Sequence, residues 1–134
     1  MIRFLHAVLL LAVFTACGPF DNLGVACTTD FRFGLAVHVK DSSTGAFAAS
    51  GARLLTFVQN TPVDTGTTFG TAYPPGRPDL DALPLLGAGE RPGTYRVIVR
   101  KSGYIDWVRT GVRVTSDECH VRQVELTALL QALP

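Results

Sequence analysis

The stretch GTYRVIVRKSGY, residues 93–104, decides the fold class of this chain. From Thr94 to Arg100 apolar and polar residues alternate, and Ile98 is the one exception. A period of two places alternate side chains on one face of a β-strand, so one face of this segment should be buried. The pair Ser102–Gly103 then predicts a turn, because serine bonds local amides and glycine accepts a positive φ. The side chains expected to point inward are Tyr95, Val97 and Val99.

Similar strand patterns lie on both sides of this segment. In the last of them the alternation shifts phase between Val121 and Val124, which predicts a β-bulge. Residues 74–93 contain five prolines and should be the least regular part, because proline cannot donate to a strand ladder. Short strands separated by turn residues predict an all-β sandwich or barrel, and a helical pattern is confined to the N-terminus and Leu126–Leu133. The predicted strands are Phe31–Lys40, Ala52–Val58, a weaker Thr65–Tyr73, Thr94–Lys101, Tyr104–Val114 and Cys119–Leu126.

The composition restricts both domain number and function class. The chain has 134 residues, 12 basic and 11 acidic, so its net charge is close to zero. A typical domain takes roughly 100–200 residues, and one domain is expected. Nucleic-acid binding needs a basic face, so we expect no nucleic-acid partner. With 17% charged and 47% hydrophobic residues, the chain is also unlike a disordered protein.

Residues 1–16 have the parts of a secretory signal peptide. Arg3 gives a positive start, an apolar run extends from Phe4 to Phe14, and small residues follow. A transmembrane helix needs roughly 20 apolar residues, so this run is too short to span a membrane. The run has no polar face, which disfavours a buried amphipathic helix. The pattern therefore predicts export.

The tetrapeptide FTAC, Phe14 to Cys17, resembles the lipobox of bacterial lipoproteins, in which a peptidase cuts before a lipidated cysteine. Phe14 stands where that family usually has leucine. The resemblance implies a diacylglyceryl thioether and an acylated amine on Cys17, and several acyl chains give a lasting membrane anchor. Gly18 replaces the aspartate of the inner-membrane retention signal. The expected location is the bacterial cell envelope, on the outer membrane facing the periplasm.

Three cysteines in an exported chain leave one without a partner. If Cys17 carries lipid, Cys27 and Cys119 remain as a pair in an oxidising compartment, where disulfides form. Their spacing is unlike that of a zinc site, which usually has four ligands. A disulfide between Cys27 and Cys119 is therefore predicted.

Several segments of the chain resemble carboxypeptidase regulatory-like domains, which are seven-stranded, transthyretin-like β-sandwiches of bacterial envelope proteins. These segments are GLAVHVKDSSTG (34–45), GARL (51–54), RPGTYRVIVRKSGYIDWVRTGVRV (91–114) and DECHVRQVEL (117–126). The resemblance implies a seven-stranded transthyretin-like or Ig-like sandwich at 30–134, behind a signal peptide at 1–16 and a lipidated tether at 17–29. It also implies a non-catalytic structural or protein-interaction module, without a cofactor, whose partner is an envelope protein or a glycan.

A small-ligand or carbohydrate-binding module is the alternative, with Tyr104 and Trp107 as a stacking platform and Tyr73 as a further candidate. Amphipathic aromatic side chains are enriched at binding sites, but packing against the core explains them better because tryptophan buries a large area. A more remote alternative is a transthyretin-like hydrolase. The chain lacks the C-terminal Y-R-G-S signature of 5-hydroxyisourate hydrolase, a serine-hydrolase elbow and a phosphate loop.

The remaining polar groups fit surface roles better than a site. His38, His120 and Glu118 could together bind a metal, but no closely spaced histidine pair supports this, and no metal site is predicted. Asp79 and Asp81 could bind calcium, yet the other positions of a calcium loop are missing. A possible arginine stripe on adjoining strands is expected to interleave with the acids Asp106, Asp117 and Glu125 in a mixed-charge face. Its members are Arg96, Arg100, Arg109, Arg113 and Arg122.

Overall fold

The computed structural model describes residues 24–64 and 72–134, and these ranges form an all-β structure with two sheets. The predicted all-β class is confirmed, and the two sheets are consistent with a β-sandwich. The described ranges contain eight strands, one of which has two residues. The predicted signal peptide, Cys17 and most of the predicted strand Thr65–Tyr73 lie outside the described residues. The strands are β1 (Leu35–Asp41), β2 (Ala52–Val58), β3 (Thr61–Asp64), β4 (Leu85–Gly87), β5 (Gly93–Lys101), β6 (Trp107–Ser116), β7 (Val121–Arg122) and β8 (Val124–Leu130).

The larger sheet has the order β3-β2-β5-β6-β7, with β5 at its centre. All its neighbouring strands are antiparallel. The predicted inward side chains of β5, Tyr95, Val97 and Val99, are all buried. Leu54 and Thr56 of β2 stand opposite Val99 and Val97 and are also fully buried. The alternation in the sequence therefore identifies the core face of this sheet correctly.

The smaller sheet has the order β4-β1-β8, and β1 and β8 run parallel from the pair Leu35–Val124 to the pair Asp41–Leu130. Strand β1 begins at Leu35, so the prediction of a strand from Phe31 is too long. Gly34 is the residue directly before β1, and its amide donates to the carbonyl of Ala88 at 3.2 Å. A Cβ atom at this position would lie 2.8 Å from that oxygen, so the close approach requires glycine.

The proline-rich segment is more regular than its composition predicts. It contains a short 3₁₀ helix, Pro78–Leu80, and the edge strand β4, which pairs antiparallel with β1. Leu85 of β4 is fully buried. A three-residue edge strand needs few ladder bonds, which reconciles it with the prolines on either side.

The predicted bulge between Val121 and Val124 is the point where the chain passes from one sheet to the other. Val121 belongs to β7 in the larger sheet, and Val124 starts β8 in the smaller one. The helical pattern predicted for Leu126–Leu133 is wrong over most of its length, because β8 extends to Leu130. Pairing with β1 buries Ala128 and Leu130 and so overrides the local pattern.

Candidate functional site

A disulfide joins Cys27, in the segment before β1, to Cys119, in the turn between β6 and β7. This is the predicted pair, and the two Cα atoms are 5.2 Å apart. Asp117 shapes the turn, because its Oδ1 atom accepts hydrogen bonds from the amides of Cys119 and His120, both at 3.0 Å. These amides lower the pKa of the Asp117 carboxyl below its usual value. The turn is thus held in shape on both sides of the bridge.

The His120 side chain connects the same turn to two other segments. Its Nδ1 atom lies 3.0 Å from Oε1 of Glu90, and its Nε2 atom lies 2.9 Å from the hydroxyl of Thr28. Glu90 also accepts hydrogen bonds from the amides of Arg32 at 2.7 Å and Val121 at 3.3 Å. Desolvation raises the pKa of Glu90, but the bonds from His120 and the two amides outweigh it, so the net pKa is lowered.

The segment around Phe31 packs against one end of the sandwich. The Phe31 ring lies against Gly89, where an added Cβ atom would be 2.6 Å from the ring. Phe31 and Phe33 also stack edge to face with ring centres 5.1 Å apart. We name residues 27–33 the docked segment. The described part of the predicted tether, residues 24–29, therefore includes two residues, Cys27 and Thr28, that are bonded to the sandwich.

A cleft of about 440 Å³ lies beside the bridge, between the docked segment and the β6–β7 turn. Four carboxylates line it, together with His120 and the hydroxyl of Thr28. The Thr28 hydroxyl, the His120 imidazole and the Glu90 carboxylate form a hydrogen-bonded row. Catalytic sites use the same arrangement, in which the hydroxyl is the nucleophile, the imidazole is its base and the carboxylate orients the imidazole. The four carboxylates belong to Asp30, Glu90, Asp117 and Glu118.

Two of the residues considered for metal binding, Asp79 and Asp81, have other partners in this structure. Within 24–64 and 72–134, no group of three or more histidine, cysteine or acidic side chains is arranged to hold a metal ion. The His38 ring lies 6.3 Å from the ring of Phe47. Asp79 is paired with Arg77 at 2.6 Å, and Asp81 accepts a hydrogen bond from the amide of Ser50 at 2.7 Å.

The aromatic residues of the predicted platform are half-buried and packed against the core cluster. The Tyr104 hydroxyl donates to Oδ2 of Asp41 at 2.9 Å, and the Lys101 ammonium lies 5.5 Å from the centre of the Tyr104 ring. The Tyr73 hydroxyl donates to the carbonyl of Pro84 at 2.8 Å. Trp107 stands opposite Val99 on the inner side of the larger sheet. These contacts agree with the core-packing interpretation, while ligand binding stays a prediction.

A cluster around Asp64, at the end of β3, was not predicted from the sequence. Its Oδ2 atom accepts from the Thr56 hydroxyl and the Ala88 amide, both at 2.8 Å, and Oδ1 accepts from Arg91 at 2.5 Å. Desolvation raises the pKa of Asp64, but these three donors lower it further than burial raises it. Asp64 and Ala88 are 24 residues apart, and no local pattern connects them.

No model of a known protein family matches the chain, and no curated protein shows significant similarity to it. Among the described residues, no helix is long and apolar enough to cross a membrane. The fold and site define a two-sheet, all-β domain in which the segment before β1 is bridged to one end of the sandwich.

Proposed function

We propose that this chain is a non-catalytic, lipid-anchored protein of the bacterial cell envelope that acts as a structural or protein-interaction module. Its signal peptide, residues 1–16, is removed before Cys17, which carries the acyl chains. The sandwich is of the carboxypeptidase regulatory-like type. It is placed on the outer membrane, facing the periplasm.

The docked segment is the observation that best supports this proposal. Cys27 is bridged to Cys119, and Thr28 and Arg32 are bonded to His120 and Glu90. Ten peptide units separate Cys17 from Cys27, and an extended chain of that length spans at most about 35 Å. An anchor on Cys17 therefore keeps the sandwich close to the membrane. Force applied at the anchor acts on the Cys27–Cys119 disulfide before it acts on β1.

Replacing Cys17 with alanine tests the anchor in cells. We expect the Cys17→Ala chain to leave the detergent-soluble membrane fraction, whereas Ser43→Ala, an exposed change in a turn, should leave the distribution unchanged. Wild-type chain in the aqueous fraction would contradict the anchor. In-cell cross-linking of the anchored chain should then trap an envelope protein, and a chain that traps none would contradict the interaction role.

The row Thr28, His120 and Glu90 favours the hydrolase as a second candidate. In that role His120 takes the proton of the Thr28 hydroxyl as this oxygen attacks the acyl carbon of an ester, and Glu90 orients the imidazole. His120 then gives the proton to the alcohol that leaves as the ester C–O bond breaks, and a water molecule, deprotonated by His120, releases the acid from Thr28. Hydrolysis of a panel of activated esters should then fall in Thr28→Ala and His120→Gln and persist in His38→Gln, whose ring lies outside the row. Equal background rates in all four proteins would exclude it.

A further inference from the structure

The outer face of the larger sheet carries arginines from several neighbouring strands. Paired residues on adjacent antiparallel strands share a face, so the strand register identifies its members. Arg53 stands opposite Arg100, Phe57 opposite Arg96, and Thr94 opposite Arg113. Arg122 on β7 stands opposite Thr115 of β6. We call this surface the arginine face, and its basic residues are Arg53, Arg96, Arg100, Arg113 and Arg122.

The acids expected to interleave with these arginines are mostly elsewhere. Asp106 pairs with Arg100 at 2.7 Å, as a mixed-charge face requires. Glu125, however, is part of β8 in the smaller sheet, and Asp117 shapes the turn beside the disulfide, where it faces Arg122. The mixed-charge interpretation therefore holds only at the two ends of the stripe.

Three arginines of the face, Arg53, Arg96 and Arg113, have no carboxylate partner among the described residues. The Arg96 guanidinium lies over the Phe57 ring, with Cζ 4.5 Å from the ring centre, and its Nε atom lacks an acceptor in the described chain. The side chains of Arg53 and Arg113 are exposed. The face therefore has an excess of positive charge although the chain as a whole is nearly neutral.

An apolar row crosses the same face between the arginines. It consists of Leu55, Ile98 and Val108, which stand opposite one another on β2, β5 and β6. Leu55 is only 9% exposed, whereas Ile98 is half-buried and Val108 is 50% exposed, so Ile98 and Val108 are the members of the row that can contact a partner. Guanidinium groups around a short apolar row suit a lipid surface, where phosphates accept bidentate hydrogen bonds and the apolar groups meet the headgroup boundary.

We propose that the arginine face docks on the anionic phospholipid headgroups of the membrane that holds the anchor. This inference rests on the proposed lipid anchor, which confines Cys27, and the end of the sandwich bridged to it, to within about 35 Å of that surface. Each arginine near an anionic membrane contributes about a factor of five in binding. The cleft beside the disulfide is lined by carboxylates and is not attracted to an anionic surface. Docking through the arginine face would therefore also orient the domain relative to the membrane.

The test reports on the distance between the face and the headgroups. Val108→Cys adds one thiol in a chain whose other cysteines are acylated or bridged, and it accepts an environment-sensitive fluorophore. The full chain, extracted in detergent, is reconstituted into vesicles of phosphatidylcholine with or without 40% phosphatidylglycerol. We expect a blue shift only with the anionic lipid, and a loss of the shift at high salt because ions screen these charges.

Charge variants and a second label site provide the controls. Replacing Arg53, Arg96 and Arg113 with glutamine should lower the ratio of docked to undocked protein by about 100-fold. Replacing Arg32, Lys40 and Arg77 removes the same charge away from the face and should have little effect. A label at Thr127→Cys, on the smaller sheet, should not shift.

Two results would overturn the proposal. One is an equal shift in both kinds of vesicle or at both label positions. The other is a Val108 label that never shifts on vesicles, including the case where a cross-linker at Val108 traps an acidic protein in cells. The intact mass of the reconstituted chain separates these failures from failure of the anchor, since an unacylated chain refutes the proposed function itself.

Discussion

The Asp64 carboxylate joins β2, β3 and the segment after β4, so its replacement tests how the sandwich is held together. The perturbation is Asp64→Asn, which keeps the size of the side chain and removes its charge. One oxygen of Asp64 accepts from the Thr56 hydroxyl and the Ala88 amide, and the other accepts from Arg91. Asparagine keeps one acceptor oxygen. Its NH₂ group then faces either Arg91 or the pair Thr56 and Ala88, which lose their acceptor.

The size of the effect follows from the hydrogen bonds that are lost. A hydrogen bond to a charged group contributes roughly 1.5–3 kcal/mol, and a buried donor without an acceptor costs about 1–3 kcal/mol. The Asp64 side chain is only 18% exposed, so water replaces few of these bonds. Asparagine loses one or two of the three bonds, and we expect the free energy of unfolding to fall by about 2–4 kcal/mol. Domains of this size are stable by roughly 5–15 kcal/mol in total.

Urea unfolding at pH 7, followed by Trp107 fluorescence, measures this loss. Thr56→Val is the matched variant, because it removes one donor and keeps the carboxylate, and it should cost about 1–2 kcal/mol. The pKa of Asp64 is lower in the folded state, so its stabilisation is present above the unfolded value of about 3.9 and is lost as pH falls through the folded pKa. The difference between wild type and Asp64→Asn should therefore shrink below pH 4. A loss under about 0.5 kcal/mol at pH 7, or a difference that is independent of pH, would refute the reasoning.

Three further predictions concern the bridge, a glycine and the aromatic residues. Replacing Cys27 and Cys119 with serine opens a loop with a sequence separation of 92 and should lower the free energy of unfolding by about 4–5 kcal/mol, measured by urea unfolding against wild type under non-reducing conditions. Gly34→Ala should cost at least about 2 kcal/mol, because its Cβ atom would lie 2.8 Å from a backbone oxygen, whereas Gly24→Ala, with no atom within 4 Å, should be neutral in thermal unfolding. Trp107→Ala should destabilise the domain by about 2–3 kcal/mol in a calorimetric scan, and glycan-array binding that survives this change would refute the platform.

The sequence predicts the larger sheet well because its central strand has one face in the core and one outside. Tyr95, Val97 and Val99 follow the period of two without interruption, and all three are buried. The smaller sheet is harder to predict because its strands pair across long separations. Parallel pairing of β1 with β8 decides that Leu126–Leu130 is extended, and this pairing is invisible in the local pattern.

Only some residues of the candidate site could be predicted from the sequence. The expected compartment and the cysteine count predict a bridge between Cys27 and Cys119, and the structure shows that bridge. Glu90 and Thr28 were missed because each is an ordinary polar residue in a loop, and only folding brings them to His120. Hydrogen bonds between residues 30 or more positions apart leave no periodic signal, so this kind of site needs coordinates.

The most direct test of the account is the intact mass of the detergent-extracted protein, alkylated without reduction. The proposed anchor and the disulfide predict a chain that starts at Cys17, is heavier by a diacylglyceryl group and an acyl group, and has Cys27 and Cys119 unalkylated. An unacylated chain would contradict the proposed lipid anchor, and a chain that takes up alkyl groups at Cys27 and Cys119 would contradict the disulfide.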